Sequence, residues 1–163
     1  MENEKLNFKY CSSKDSKDIV KKNIDDFKKA HFDMWGKQTR PDASWDSMLK
    51  SIIDDEAVLC FLEKNHETIS YLFIGYHKKF CFGWSQVNLK KYEKDFQVRH
   101  FLEWSVIKFL KKRKFRFYEL GERFYKYKGF KPSEKYLSIS DFKEKFGGSF
   151  YPKVFFESKL NDF

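Results

Sequence analysis

The pattern of apolar and polar positions predicts that the chain begins with one short strand and two helices. Residues 6–10 alternate as in a strand, and residues 16–35 carry apolar side chains at a period near that of a helix. Asp15 or Ser16 is the expected cap at the start of this helix, and Gly36 ends it, because glycine is a common stop signal. Ser44 is the expected cap of a second helix, which runs from residue 45 to about residue 55.

From residue 57 onward the apolar period changes to that of strands. Segments at 58–62, 68–76 and 80–84 are separated by short turns and predict a meander of three antiparallel strands. The polar stretch at 86–97 has no clear period, and we interpret it as a loop that leads into a helix.

That helix, at 98–112, has the widest apolar face in the chain and leads into a strand at 115–120. A helix between two strands normally makes a right-handed crossover and places the strands parallel. A brief helix is expected within 137–148 and a last strand at 150–156. The predicted fold class is α/β (α+β), with a mixed, mostly antiparallel sheet, a parallel βαβ crossover and helices on both faces. Residues 1–163 are expected to form one domain.

Composition supports a folded protein. The 163 residues are 41% hydrophobic and 20% aromatic, which excludes an intrinsically disordered chain. No run of about 18 apolar residues is present, and the charged start is followed by no apolar signal-peptide core, so we expect no membrane span and a cytoplasmic location. The three cysteines form no CxxC pair, which argues against a disulfide framework or a structural zinc site. They are expected to be reduced and mostly buried.

The net charge of +9 lies entirely in the second part of the chain. Residues 1–89 carry 14 basic and 14 acidic side chains, whereas residues 90–163 carry 19 basic and 10 acidic ones. A basic field of this kind attracts phosphates on a nucleotide, a CoA-type cofactor or tRNA. The alternative is a Lys-rich composition that reflects an A·T-rich genome.

Common catalytic motifs are absent from the sequence. It contains no GxSxG, GxxxxGK[ST], GxGxxG or HExxH segment, and its four histidines lack the spacing of metal ligands. No metal site is therefore expected. These absences exclude several large enzyme classes but leave acyl transfer open.

Several short segments can be compared with known families together with the order of the predicted elements. They are Thr39-Arg40-Pro41 with Trp45, Trp104, Tyr118-Glu119-Leu120-Gly121, Lys135, and Phe142-Lys143 followed by Phe146-Gly147-Gly148. The order of elements resembles that of the GNAT N-acyltransferase fold, and the segments resemble its FemAB-like branch, which includes single-domain BioF2-like acetyltransferases. The resemblance runs from about residue 32 to residue 151, and the FK..FGG segment is its most specific part.

The resemblance implies a bacterial N-acyltransferase that transfers an acetyl, other acyl or aminoacyl group to an amine. It also implies an acceptor in a cell-envelope, surface-polysaccharide or small-molecule pathway. No permanently bound cofactor is expected. The phosphorylated donor is acyl-CoA or aminoacyl-tRNA, the acceptor is a small or sugar-linked amine, and a homodimer is one option for assembly.

The expected donor site departs from the usual GNAT pattern. Typical acetyl-CoA-dependent members place a glycine-rich loop before the crossover helix, so that backbone N–H groups hold the pyrophosphate. Residues 90–97 contain no glycine, and FemAB-like proteins share this lack. Basic side chains at this helix start are candidate phosphate ligands instead, while the favoured alternative for any one of them is a solvated charged face. The candidate donor-binding residues are Lys90, Lys91, Lys94, Arg99 and Trp84.

Acyl transfer needs a base for the attacking amine and donors for the developing oxyanion. Backbone N–H groups around residues 81–85 are the expected donors in this fold. Glu119 and Glu122, at and just after the end of a strand, are candidate bases, while the alternative for Glu119 is an ion pair with a nearby cation. The resemblance places Lys143 near the acceptor or the developing charge. The alternative is that Phe142 and Phe146 anchor a short helix while Lys143 points to water.

The acceptor side is predicted from aromatic and basic residues. Arg40 offers a fork suited to phosphate or carboxylate, and Trp45 is either a wall of the site or a core residue. Tyr76 and Tyr118 lie at strand ends as candidate aromatic walls, and Lys135 completes the acceptor set by resemblance.

Two further functions compete with the transferase hypothesis. A non-catalytic basic domain would bind nucleic acid through the cluster at 108–116 and exposed aromatic residues, although the aromatic residues follow core periodicity instead. A degenerate transferase would keep the fold for a binding role.

Overall fold

A computed structural model of the protein describes residues 6–92 and 95–152. Lys94 and residues 153–156 of the predicted last strand lie outside this range. Residues 150–152 have no regular secondary structure. In chain order the elements are β1 (Asn7–Cys11), α1 (Lys17–Trp35), α2 (Asp42–Ile53), β2 (Ala57–Lys64), β3 (Glu67–His77), β4 (Phe80–Asn88), a 3₁₀ turn (Lys90–Tyr92), α3 (Phe96–Lys112), β5 (Phe117–Glu119) and α4 (Glu134–Glu144).

The first helix has the ends that its sequence predicts. The Ser16 hydroxyl accepts a hydrogen bond from the Ile19 N–H, and Gly36 ends α1 with φ of +65°. The second helix begins earlier than expected, so the prediction of Ser44 as its cap is wrong. Pro41 has φ of −59°, close to the helical value, and its carbonyl accepts the Ser44 N–H at 3.0 Å. Ser44 therefore lies within the first turn of α2, which starts at Asp42.

The sheet has five strands in the order β1-β2-β3-β4-β5. The first four strands pair antiparallel, and β5 runs parallel to β4 after the crossover through α3. The strand β4 is longer than predicted and ends at Asn88 instead of Trp84, which corrects the interpretation of residues 86–88 as loop. Its extension is held by β3, where Ser85 pairs with Phe73 and Asn88 with Ser70.

Helices cover both faces of the sheet. One buried cluster lies between α1, α2 and one face, which we call the α1/α2 face, and includes Phe27, Met48 and Phe73. A second lies between α3 and the other face, called the α3 face, and includes Leu72 and Leu102. The six residues from Ala57 to Leu62 are all buried, so β2 is the centre of the core.

The chain forms two compact units, Met1–Gly121 and Glu122–Phe163. The first, called the sheet unit, contains the five strands and α1 to α3; the second, called the C-terminal unit, contains α4. Within the C-terminal unit the Phe124 N–H donates to the Ser140 hydroxyl, and the Phe142 and Phe146 rings meet edge to face at 5.2 Å. A single domain over residues 1–163 stays a prediction. Among the described residues no helix is long and apolar enough to cross a membrane.

Candidate functional site

The strands β4 and β5 part in the sheet unit. Their pairing covers only three positions, from Phe80 opposite Phe117 to Phe82 opposite Glu119. Beyond this point β4 continues for six residues to Asn88, with no strand beside that edge in the described part of the chain. Alternate backbone N–H and C=O groups of an antiparallel strand point away from its partner, so this stretch offers an open row of hydrogen-bonding groups.

A β-bulge in β4 marks the point of parting. Ile74 of β3 lies opposite Gly83, whereas Phe73 lies opposite Ser85, so that Trp84 is the extra residue. Bulges bend a strand and redirect its side chains, and they are frequent beside active sites. The predicted backbone donors around residues 81–85 therefore lie in an irregular segment at the open edge.

On the α3 face, a small cavity of about 130 Å³ lies beside the bulge. Tyr118 of β5 donates a hydrogen bond from its hydroxyl to Glu103 Oε1 of α3 at 2.6 Å, and the Glu103 side chain is buried. Burial, followed by the Glu103 charge, raises the pKa of Tyr118 well above its usual range, so the phenol stays protonated at neutral pH. A Cβ on Gly83 would lie 3.2 Å from this hydroxyl oxygen, which therefore closely approaches the bulge. The cavity is lined by Leu72, Gly83, Trp84, Ser85, Gln86, Glu103, Tyr118 and Leu120.

Sequence reasoning placed Tyr118 on an acceptor wall and did not select Glu103. Glu103 follows Leu102, a residue of the apolar face of α3, and an acidic residue at the margin of such a face is the signal that could have found it.

On the α1/α2 face, Arg40, Ser85 and His31 form a polar cluster behind the bulge. Arg40 donates to the Ser85 hydroxyl oxygen at 2.9 Å, and His31 Nε2 lies 3.1 Å from the same oxygen. The Arg40 guanidinium also lies over the Trp45 ring at 4.8 Å. Burial, with a smaller effect of the Arg40 charge, lowers the pKa of His31 to about 4, so this imidazole is neutral at pH 7.

The predicted acceptor residues Arg40 and Trp45 thus lie together. Trp45 is only 4% exposed and packs on Phe27, as expected for the core alternative. Its indole N–H and His31 Nδ1 are both buried without a hydrogen-bond partner among the residues that the structure describes. The sequence predicts a role for the backbone around Ser85 but not for its hydroxyl, because the contact of that hydroxyl with Arg40 spans 45 residues.

The same face carries a second opening of about 250 Å³, which we call the aromatic cleft. The Trp84 ring contacts Phe73 and Phe82, with ring centroids 5.9 and 6.2 Å apart. The Phe82 ring lies across Gly75, where an added Cβ would come within 2.5 Å of its Cζ. Glycine at this position therefore lets the ring lie on the strand. The cleft is lined by Ser51, Glu56, Ala57, Phe73, Gly75, Tyr76, His77, Phe82 and Trp84.

Glu119, a predicted base, is the last residue of β5. It lies at the point of parting, opposite Phe82 in register. Side chains alternate along a strand, and Tyr118 lies on the α3 face. Glu119 is therefore on the α1/α2 face, where the aromatic cleft lies. Tyr76, a predicted acceptor wall, packs against the α3-side cluster, and its hydroxyl donates to Asp55 at 2.7 Å.

The start of α3 carries an acidic cap. The Asp95 side chain accepts hydrogen bonds from the backbone N–H groups of Gln97 at 2.9 Å and Val98 at 3.3 Å. These are N–H groups of the kind that hold a pyrophosphate in typical acetyl-CoA-dependent proteins of this fold. The carboxylate already satisfies them and adds a negative charge.

The predicted basic donor ligands lie around this helix start. Lys90 is exposed in the 3₁₀ turn, and Arg99 is half-buried in the first turns of α3. Lys91 makes an ion pair with Glu67 at 2.5 Å. Trp84, the fifth predicted donor residue, has its ring in the aromatic cleft on the α1/α2 face.

Three predicted site residues belong to the C-terminal unit. Lys143 Nζ donates to the backbone carbonyl of Glu122 at 2.9 Å, so two of the predicted catalytic residues lie side by side. Lys135 is exposed near the start of α4. The predicted roles of all three residues stay predictions.

Side chains of metal-ligating types and the three cysteines are spread over the part of the chain that the structure describes. No group of three or more His, Cys, Asp or Glu side chains there could hold a metal ion. The cysteines are free and buried, and burial raises the pKa of Cys11 to about 11 and that of Cys81 to about 12. These thiols are therefore poor nucleophiles.

No protein-family model matches the sequence, and no curated protein matches it. Solved structures do match. An aminoglycoside acetyltransferase from an uncultured soil metagenomic sample, solved with sisomicin, has a TM-score of 0.63 at 9% identity, over 96% of this chain and 97% of that one. Aminoglycoside N-acetyltransferase AAC(6')-Iy, solved with a CoA bisubstrate analog, has a TM-score of 0.62 at 12% identity, over 96% and 99% of the two chains. A possible acetyltransferase from Clostridium difficile 630 has a TM-score of 0.56 at 12% identity, over 96% and 99%.

These neighbours are GNAT-fold acetyltransferases, and the five-stranded mixed sheet with helices on both faces matches them. The fold predicted from the sequence is confirmed. At identities of 9% to 12% the likeness establishes the fold, whereas the FemAB-like subgroup is not distinguished by it.

Proposed function

We propose that the protein is an N-acyltransferase that moves an acyl group from a thioester donor to a primary amine. The observation that carries the proposal is the parting of β4 from β5 at the bulge, which leaves backbone hydrogen-bonding groups open between two openings on opposite faces. The GNAT fold of its acetyltransferase neighbours supports the same reaction class.

In this reaction the amine nitrogen attacks the thioester carbonyl carbon. A C–N bond forms, the C–S bond breaks, the nitrogen loses one proton to a base, and the sulfur leaves as a thiolate that takes up a proton. The carbonyl oxygen becomes negative in the tetrahedral intermediate. Backbone N–H groups at the bulge around Gly83 and Trp84 are the proposed donors to this oxygen.

The two faces receive different roles in the proposal. Glu119 takes the proton of the amine, because it lies at the point of parting on the face of the aromatic cleft. Tyr118, on the α3 face, is proposed to lie near the departing sulfur. Its single hydroxyl proton is donated to Glu103 in this structure, so it serves the sulfur only when the hydroxyl turns away from that carboxylate. Glu122 and Lys143 are retained from the sequence resemblance as a second base and a stabiliser of negative charge.

Acyl-CoA is the proposed donor. Neighbouring structures include a complex of AAC(6')-Iy with CoA, at a TM-score of 0.58. Because Asp95 caps α3, the donor phosphates rely on basic side chains. Lys90, Lys91 and Arg99 are the described candidates. Aminoacyl-tRNA is the alternative donor, and an amine of a cell-envelope pathway is the alternative acceptor. Both rest on the FemAB-like resemblance and on the missing glycine loop.

The test combines binding and turnover. Thermal unfolding is measured with acetyl-CoA, longer acyl-CoAs, charged tRNA and a generic oligonucleotide, and CoA release is followed with a panel of amines. We expect stabilisation by acyl-CoA and amine-dependent release of CoA. Stabilisation by oligonucleotide alone, lost steeply with salt, would refute the transferase and favour nucleic-acid binding.

Glu119→Gln tests the proposed base. We expect kcat/KM to fall by about 100-fold without loss of stability, in the range typical of general bases. Glu63→Gln is the matched control, because Glu63 lies in the same sheet but pairs with Lys9 at its opposite edge. Equal activity of Glu119→Gln and the unchanged protein would remove Glu119 from the mechanism.

A further inference from the structure

We propose that the acceptor is a small monoamine with an aromatic or alkyl body, bound in the aromatic cleft. This inference rests on the proposed acyl transfer and names the class of amine. It assigns Trp84 to acceptor binding, whereas the sequence alone placed it with the donor.

The cleft is a built aromatic surface. Gly75 has no Cβ at the place where the Phe82 ring lies, and the Trp84 ring stands beside both Phe82 and Phe73. Trp84 is the extra residue of the bulge and is 53% exposed, so its ring borders the opening and is available to a ligand. Flat or apolar groups gain dispersion and stacking energy against such rings.

The charged residues that line the aromatic cleft favour an acceptor with one amino group over one with several. Among the described residues, Glu56 is the only acidic one that lines the cleft, and neither Lys nor Arg lines it. With Glu119, the proposed base on the same face, the acceptor would meet two carboxylates, whereas an aminoglycoside or polyamine carries several ammonium groups.

Position and size agree with this class of acceptor. Glu119 lies on the same face, opposite Phe82 in register, so an amine on a ring held by Phe82 and Trp84 is directed toward the parted strands. The volume of about 250 Å³ is slightly below the usual range for ligand pockets, which begins near about 300 Å³, and suits a compound with a single ring.

The experiment compares acceptors in the full chain with acetyl-CoA as the donor. Phenethylamine, tryptamine, hexylamine, spermidine and kanamycin are tested by release of free CoA, and the N-acetyl product is identified by mass spectrometry. We expect kcat/KM for the aryl-alkyl amines to exceed that for kanamycin and spermidine by at least about tenfold. A preference for kanamycin or spermidine would overturn the inference and leave the transferase proposal intact.

Two variants tie the preference to the cleft. Trp84→Ala is expected to raise KM for phenethylamine by about tenfold, with a smaller change in KM for acetyl-CoA. Gly75→Ala displaces the Phe82 ring without removing an aromatic residue, and the same KM is expected to rise. Trp35→Ala is the matched control, because Trp35 is 52% exposed at the end of α1 and does not line the cleft. An unchanged KM in Trp84→Ala would overturn the assignment.

Binding measurements distinguish a failure of the proposed acyl transfer from a failure of the proposed amine site. If no amine is acetylated although acetyl-CoA binds, the proposed function fails, and phenethylamine binding is then measured by isothermal titration calorimetry in the unchanged protein and in Trp84→Ala. Binding that Trp84→Ala weakens about tenfold supports the cleft as an amine site. Absence of binding overturns the inference as well.

Discussion

Tyr118 and Glu103 join the shortest strand of the sheet to the crossover helix through a hydrogen bond of 2.6 Å between the phenol and the carboxylate. The pair lies at the point where β4 and β5 part, and it places a protonated hydroxyl beside the bulge. A hydrogen bond to a buried charged group contributes more to stability than one between neutral groups, because the alternative is an unsatisfied buried charge.

The first prediction concerns this pair. Tyr118→Phe removes the donor and leaves the buried Glu103 carboxylate with one partner fewer, so we expect a loss of about 1–3 kcal/mol in unfolding free energy. Glu103→Gln is expected to cost less when it is combined with Tyr118→Phe than when it is made alone. A double-mutant cycle in urea measures the coupling, and additive effects would show that the two side chains do not act as a pair.

The acidic cap of α3 gives a second prediction. Asp95→Asn keeps a side-chain oxygen for the Gln97 N–H but removes the negative charge from the helix start. Acetyl-CoA is therefore expected to bind several-fold more tightly, since its pyrophosphate no longer faces a carboxylate. Isothermal titration calorimetry gives the Kd. Equal Kd values would place the donor phosphates away from this helix start.

Protonation of His31 is expected to limit stability in acid. Its pKa is about 4 in the folded protein and near 6.5 in the unfolded chain, so the unfolded chain binds the proton first as pH falls. The contribution of neutral His31 to the free energy of unfolding is fully present above about pH 6.5. This contribution decreases by about 3 kcal/mol as the pH falls to about 4. Urea unfolding at both ends of this range measures it. His31→Gln lacks this contribution, and an identical pH dependence in that variant would contradict the assignment.

Arg40 is expected to influence the same imidazole. Its charge lowers the pKa of His31 in addition to the larger effect of burial. Arg40→Ala removes that charge and exposes the ring to more water, so the pKa of His31 should rise from about 4. The ring resonances of His31 in an NMR titration report this pKa. Lys37→Ala, an exposed cation just after α1, is the control and should leave it unchanged.

Local signals account for the parts of the fold that the sequence predicts. Ser16 and Gly36 end α1 through contacts within one turn, and the apolar period of α3 requires only its own residues. The extent of β4 could not be derived in this way. Its residues 85–88 are extended because β3 pairs with them, and that pairing joins positions up to 18 residues apart, as between Ser70 and Asn88.

The sequence predicts Glu119 as a candidate base but does not predict the contacts around it. Glu119 was selected because it ends the strand after the crossover, and it lies where β4 and β5 part. The hydrogen bond between Glu103 and Tyr118 depends on how α3 rests on the sheet, and the bulge at Trp84 depends on strand register. Neither relationship leaves a periodic signal in the sequence.

The short pairing of β5 also has a consequence for local opening. Whereas β2 is buried from Ala57 to Leu62 and flanked by two strands, β5 has three paired residues and one neighbouring strand in the described part of the chain. Its amides should exchange with solvent through local fluctuations that leave β2 intact. An acyl donor that occupies the open edge of β4 would slow amide exchange at residues 117–119 selectively. Occupancy of the donor site and local opening of β5 are therefore thermodynamically coupled.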